Sequence, residues 1–186
     1  MTTEERHLQN INDYSVNEQG VKDTLKELIA IGSEIGIHPG INTYNDVRRM
    51  QEQKERLEAA IDQKVSRSRQ HYLKYEHPIT FEILESVGIE NDSSILVDLS
   101  KVEEESKRTT YPMFEENKMS ITQTPLVFMD THYMQQTDNS ILKALEESIS
   151  PAKKNGGEIM ILWHNNNISN NREIGLYKEA LEVIRN

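Results

Sequence analysis

Apolar positions recur at helical spacing in five stretches separated by short apolar runs. Val21, Leu25, Leu28 and Ile29 share one stripe, with Gly32 as a stop signal, which predicts a helix from Glu18. Glu34 to His38 reads as a short strand ended by the turn pair Pro39 and Gly40. A second helix is expected from about Asn45, with Val47, Met50, Leu57 and Ile61 inward. Its charged residues, Arg48, Arg49, Glu52, Lys54, Glu55, Arg56 and Glu58, should form a solvated face. Val65 opens a weak strand that runs to Tyr72. A third helix starts near Pro78, buries Phe81, Ile83, Leu84 and Val87, and stops at Gly88.

Ile89 to Leu96 reads as a strand interrupted by the polar run Asn91 to Ser94. Residues 98–124 form a long irregular stretch, acidic at Glu103 to Glu105 and basic at Lys107 and Arg108. Pro125 to Met129 is a buried-type strand ending at Asp130. The next helix starts near Asn139, carries Ile141, Leu142, Leu145 and Ile149, and should end or kink at Pro151. Gly156 and Gly157 precede the most apolar strand, Ile159 to Trp163. A last helix buries Ile174, Leu176, Tyr177, Ala180, Leu181 and Ile184. This alternation predicts an α/β fold of mostly parallel strands. Residues 1–17 are polar and read as a tail, leaving one domain over 18–186.

Composition narrows the chemistry. The 186 residues contain no Cys, which removes thiolate metal sites, cysteine nucleophiles and disulfides. A net charge of −10 argues against a nucleic-acid partner. No apolar run reaches the roughly 18 residues of a membrane span, and no signal-peptide pattern opens the chain, so a cytoplasmic location is expected.

The polar residues that follow the strands are the candidates for function. His38, Arg69 with His71, Asp92, Asp130 and His164 each stand at or just beyond a predicted strand end. In parallel α/β folds those ends gather on the ligand-binding face. His38 could ligate zinc or a similar divalent ion, with Asn42 as a weak oxygen ligand. A structural hydrogen bond is the plainer reading of His38, and a turn residue or the cap of the next helix that of Asn42. His164 could pass a proton to a leaving group, tuned by Asp92 or Asp130. Arg69 could hold a carboxylate by a bidentate pair, or form a surface ion pair. Of the other histidines, only His132, after Asp130, has a context that suits a site; His7 and His77 have none. Phosphate loops, nucleophile elbows and dinucleotide fingerprints are absent. Asn91 and Asn167 open glycosylation-type triplets that read as coincidence.

Taken in order, Glu34 to Pro39, Ser68 to Tyr72, Gly88 to Ser94 and Leu162 to Asn165 resemble the polysaccharide deacetylase superfamily, carbohydrate esterase family 4. The likeness is greatest to its divergent bacterial His-Pro branch and covers about residues 18–185. The resemblance implies an incomplete or distorted (β/α) barrel and metal-dependent hydrolysis of N-acyl groups on carbohydrate. It places His38 and Asn42 at metal-ligand positions. Arg69 matches the arginine that orients the catalytic base, and His164 the acid that protonates the leaving amine. Asp92 and Asp130 join the catalytic set, and His71, Tyr72, Trp163 and His132 are the expected saccharide contacts.

The family's Asp-Asp strand has no counterpart ahead of the first helix, where Asn10 to Tyr14 is short and polar, and Asn42 replaces a second metal histidine. Two outcomes are therefore expected: a truncated piece of an active enzyme, or a remodelled relative that binds carbohydrate or a partner without catalysis. An open sheet edge would favour homo-oligomers.

Overall fold

The computed structural model describes residues 15–101, 111–112 and 119–186. Most of the expected tail, the Asn10–Tyr14 segment and the charged runs at 103–105 and 107–108 lie outside the described residues. The chain divides into two compact units, Met1–Ser94 with Pro112–Thr122, and Ile95–Tyr111 with Gln123–Asn186.

In the first unit, α1 (Gln19–Ala30) ends as Gly32, at φ 89°, turns the chain and Ser33 N–H bonds back to the Leu28 carbonyl at 2.9 Å. Its stripe is only half covered, and Leu28 is exposed. The expected strand at Glu34–His38 reduces to one parallel bridge between Ile37 and Ser68. Gly36 permits it, because a Cβ there would lie 3.2 Å from the Arg67 carbonyl oxygen.

Helix α2 (Val47–Ile61) is capped by Asp46, whose carboxylate accepts from Arg49 N–H at 3.1 Å. Met50 and Ile61 are buried as expected, but Val47 is exposed. Lys54, expected in solvent, is buried beside them and donates to Glu58 at 2.7 Å. The aliphatic stem of a lysine suits a core-facing stripe when a carboxylate one turn on meets the ammonium.

Val65 N–H donates to the same Glu58 oxygen at 2.9 Å, and Lys64 reaches the other at 3.3 Å. Burial alone would raise the Glu58 carboxyl, but these donors outweigh it and hold it at about 2, against 4.5 for the free group. A lowered folded-state value gives stability that is complete above pH 4.5 or so and drains as pH falls toward 2. The stability gap between wild type and Glu58→Gln should therefore narrow by about 2 kcal/mol from pH 6 to pH 3. Urea midpoints of both proteins at each pH measure it; a gap indifferent to pH would remove the ion pair from the stability of this unit.

Strand β1 (Arg67–Ser68) precedes α3 (Ile79–Ser86), where Phe81 and Leu84 are fully buried and Gly88, at φ 79°, ends the turn. Strand β2 (Asn91–Asp92) pairs in parallel with β1, Arg67 opposite Asn91 and Ser68 opposite Asp92. The polar run expected to interrupt a strand is thus its paired portion. The sheet order is β1-β2-β4-β3, with β3 (Tyr111–Pro112) and β4 (Thr122–Gln123) at its far side.

The second unit holds β5 (Leu126–Met129), α4 (Asp138–Asn155), β6 (Met160–Leu162) and α5 (Asn171–Arg185). Strands β5 and β6 pair in parallel, and Leu96 adds a parallel bridge to Leu126. Thr137 caps α4, which runs through Pro151 instead of ending there. Phe128, Ile141, Leu145, Ile149, Leu176 and Ala180 form the core. Strand β6 is only half-buried despite its apolar sequence, because its one described strand neighbour is β5. The fold is mixed α/β with parallel pairs, and among the described residues the strands of neither unit close into a barrel.

Candidate functional site

The candidate residues form two constellations, one in each unit. In the first, the chain after the Ile37 bridge delivers His38, and the turn after β1 delivers His71. His38 Nδ1 lies 2.8 Å from the Arg69 carbonyl oxygen. A carbonyl only accepts, so this nitrogen carries the proton and a neutral ring presents its lone pair at Nε2. That Nε2 is 2.9 Å from His71 Nδ1, with the rings edge to face. The turn His71–Leu73 holds two consecutive non-glycine residues, Tyr72 and Leu73, at φ 55° and 53°. Backbone of this kind costs on the order of 1 kcal/mol or more per residue and persists where surroundings enforce it. It leaves Tyr72 69% exposed, its ring edge-on to that of His71 at 4.5 Å.

Asn42 sits half-buried in the turn Ile41–Thr43. Thr43, beside it, donates to the Gly40 carbonyl and lies 3.4 Å from Gln70 Oε1, next to His71. Gln70 Nε2 is buried with no hydrogen-bond partner among the described residues.

At the end of β2 a serine network surrounds Asp92. Ser68 Oγ donates to its Oδ2 at 2.6 Å, Ser94 Oγ to the same oxygen at 3.0 Å, and Ser94 N–H to Oδ1 at 2.8 Å. Burial pushes the Asp92 carboxyl up, and the hydroxyl and amide donors oppose that rise. Arg69 Nε donates to Ser93 Oγ at 3.1 Å. Burial lowers the Arg69 guanidinium, and the Asp92 carboxylate counters it. Asp92 is therefore bound to its own strand-end serines.

In the second unit, β5 ends at Asp130 and β6 is followed by Trp163 and His164. Asp130 is fully buried, and its Oδ1 lies 2.6 Å from His164 Nδ1. Its Oδ2 accepts from His164 N–H at 2.9 Å and from Asn167 Nδ2 at 2.8 Å. Of the two carboxylates expected to tune His164, Asp130 is the one hydrogen-bonded to it. The carboxylate fixes the Nδ1–H tautomer and leaves Nε2 as the nitrogen able to trade a proton with a ligand, in a side chain 36% exposed. Trp163 packs on Phe128 and, edge-on, on Tyr177 at 5.4 Å. His132 is exposed and lines an open pocket of about 810 Å³ with Leu96, Phe128, Tyr133 and Glu147.

Sequence reasoning missed Asn167 and the serines. Asn167 is one of three consecutive Asn and drew notice only as the start of a glycosylation-type triplet, whereas the run Ser93–Ser94 beside Asp92 was a usable sign.

A divalent cation held by three protein ligands does not fit the described residues, since no three of their His, Asp or Glu side chains group in a way that could hold one. The first unit offers instead two imidazole nitrogens and, nearby in sequence, an amide.

No family model and no curated protein matches the chain. Among solved structures it is similar to one assigned as a polysaccharide deacetylase from Mycobacterium smegmatis, with TM-score 0.66 and 13% identity. The match covers 89% of this chain and 61% of that one. It is likewise similar to the PuuE allantoinase, with TM-score 0.64 and 14% identity over 90% of this chain and 58% of that one. The chain thus spans about three fifths of the length of either protein. The fold of this chain is the one shared by the deacetylase and the allantoinase.

Proposed function

We propose that the chain is a polysaccharide-deacetylase-like domain, an incomplete or distorted (β/α) barrel over residues 18–186, that releases N-acyl groups from carbohydrate. The observation that carries this reading is the hydrogen bond of buried Asp130 to His164 at 2.6 Å. Removing an N-acyl group requires a proton on the departing amine; an imidazole whose Nδ1–H is fixed by Asp130 takes the proton of the attacking water at its open Nε2 and passes it to that amine. In this reading Trp163 and His132 contact saccharide beside His164 in the second unit. In the first unit, His71 and Tyr72 contact saccharide separately, and Arg69 and Asp92 are held by the serines of their own strand ends.

Acetate release from N-acetylated oligosaccharides tests the reading. Wild type should release acetate and His164→Ala should not; no release from wild type, or equal release from both, overturns it.

A second reading, a carbohydrate- or partner-binding relative without catalysis, is favoured by the ligand set, in which no three of the described His, Asp and Glu could hold a metal. It predicts saccharide affinity unchanged by a chelator. The half-buried β6, paired with β5 alone, supports association of copies along that edge. No helix among the described residues is long and apolar enough to cross a membrane.

A further inference from the structure

The Arg69 guanidinium is fixed at one end and open at the other. Its Nε donates to Ser93 Oγ at 3.1 Å, and that hydroxyl donates in turn to the Ser68 carbonyl at 3.2 Å. Among the described residues no acceptor lies within hydrogen-bond distance of the two terminal nitrogens, and no carboxylate forms an ion pair with them. We propose that these nitrogens bind the carboxylate of an acidic saccharide, which makes Arg69 a specificity-determining residue for sugars of the uronic acid type.

Three features of the first unit point to that ligand. The charge is half-buried, and loss of water lowers the guanidinium from its usual value; a cation in such surroundings is stabilised when an anion meets it. Asp92 does not supply that anion by direct contact. It acts on the guanidinium through space, while its oxygens accept from Ser68 Oγ, Ser94 Oγ and Ser94 N–H. Finally, the bond to Ser93 holds Nε and with it the plane of the group. A guanidinium edge held in this way matches a carboxylate through two parallel N–H···O bonds.

The same groups set the charge of the ligand. One guanidinium, already under the influence of the Asp92 carboxylate, balances a single negative charge, so a carboxylate suits it better than a phosphate dianion. The saccharide half comes from the turn that follows, where Tyr72 presents an exposed ring three residues after Arg69. The inference rests on the reading of the chain as a carbohydrate domain. It needs binding alone and holds whether or not the chain hydrolyses N-acyl groups.

The test is an NMR titration of the full chain with glucuronate, glucose, acetate and inorganic phosphate, each alone. Glucuronate should bind at least about tenfold more tightly than any of the other three, and the Arg69 Nε and Nη resonances of wild type should shift as it binds. Arg69→Gln should bring glucuronate down to the level of glucose and leave glucose itself unchanged, a selective loss that a merely structural role would not produce. Equal affinity of wild type for glucuronate and glucose overturns the inference and leaves the carbohydrate reading standing. Acetate or phosphate as tight as glucuronate overturns the assignment to a carboxylate borne on sugar. Unshifted Arg69 nitrogens in the glucuronate complex, or no glucuronate binding at all, overturn the site without relying on a variant that folds.

Discussion

Asp130→Asn should lower acetate release by a factor on the order of 10²–10⁴ while leaving the fold intact. The reason lies in which donors surround the carboxylate. Its Oδ2 accepts two of them, the His164 backbone N–H and Asn167 Nδ2, whereas Oδ1 faces His164 Nδ1 alone. An asparagine here must turn its single oxygen toward the two donors, which places its amide group against His164 Nδ1. That nitrogen then has to accept, so the ring proton moves to Nε2. In that tautomer Nε2 has no lone pair to receive a proton. Charging the ring would set two donors against each other. The side chain keeps its shape, so stability should change little.

Three measurements separate this from simple damage. Acetate release should fall, the thermal midpoint should hold, and the ¹⁵N shifts of His164 should exchange between Nδ1 and Nε2. Release unchanged with the tautomer exchanged would remove His164 from the proton transfer. Asp130→Ala is the contrasting variant. It strands the His164 N–H, the ring and Asn167 without an acceptor, at a cost of about 3 kcal/mol or more.

The helices were legible because caps and stops agree with the apolar period. Asp46, Thr137 and Asn170 each accept from a first-turn N–H, and Gly32 and Gly88 take left-handed backbone where the helices stop. The short strands were less so. Asn91–Asp92 has no β-type side chains, and its pairing with Arg67–Ser68 comes from partners 24 residues away. Lys54 was placed in solvent because its charge outweighed its position, four residues after Met50, on the buried stripe. Within the site, Asp130 and His164 stood out since each ends an apolar run whose strands pair side by side. The approach of His38 to His71 left no trace, for it depends on the left-handed turn at Tyr72 that aims the second ring.

Phe128→Ala should cost about 3–5 kcal/mol, a large share of the roughly 5–15 kcal/mol that holds an ordinary domain folded. Phe128 is 1% exposed, so the substitution removes a whole ring from a closed environment. Its ring is nearly parallel to that of Tyr133, with centroids 5.0 Å apart, and lies 6.2 Å from that of Trp163. Both contacts vanish together with the packing against Ile141, Leu145 and Ile149. Collapse around the void is restricted, because neighbours on α4 and α5 are fixed by their own helices. The site should respond as well. Phe128 stands two residues before Asp130 on β5, and Trp163 immediately precedes His164, so a loosened Trp163 frees the backbone N–H that Asp130 holds. Trp163 is the one tryptophan of the chain, which makes its fluorescence a direct readout of this core. Urea unfolding followed at that residue should show the midpoint falling sharply in Phe128→Ala and much less in Phe128→Leu, which keeps most of the volume. A loss below about 1 kcal/mol would mean that β5 is not the packing centre of the unit. The support beneath the Asp130–His164 pair would then have to come from the Asn167 hydrogen bond and the turn around it.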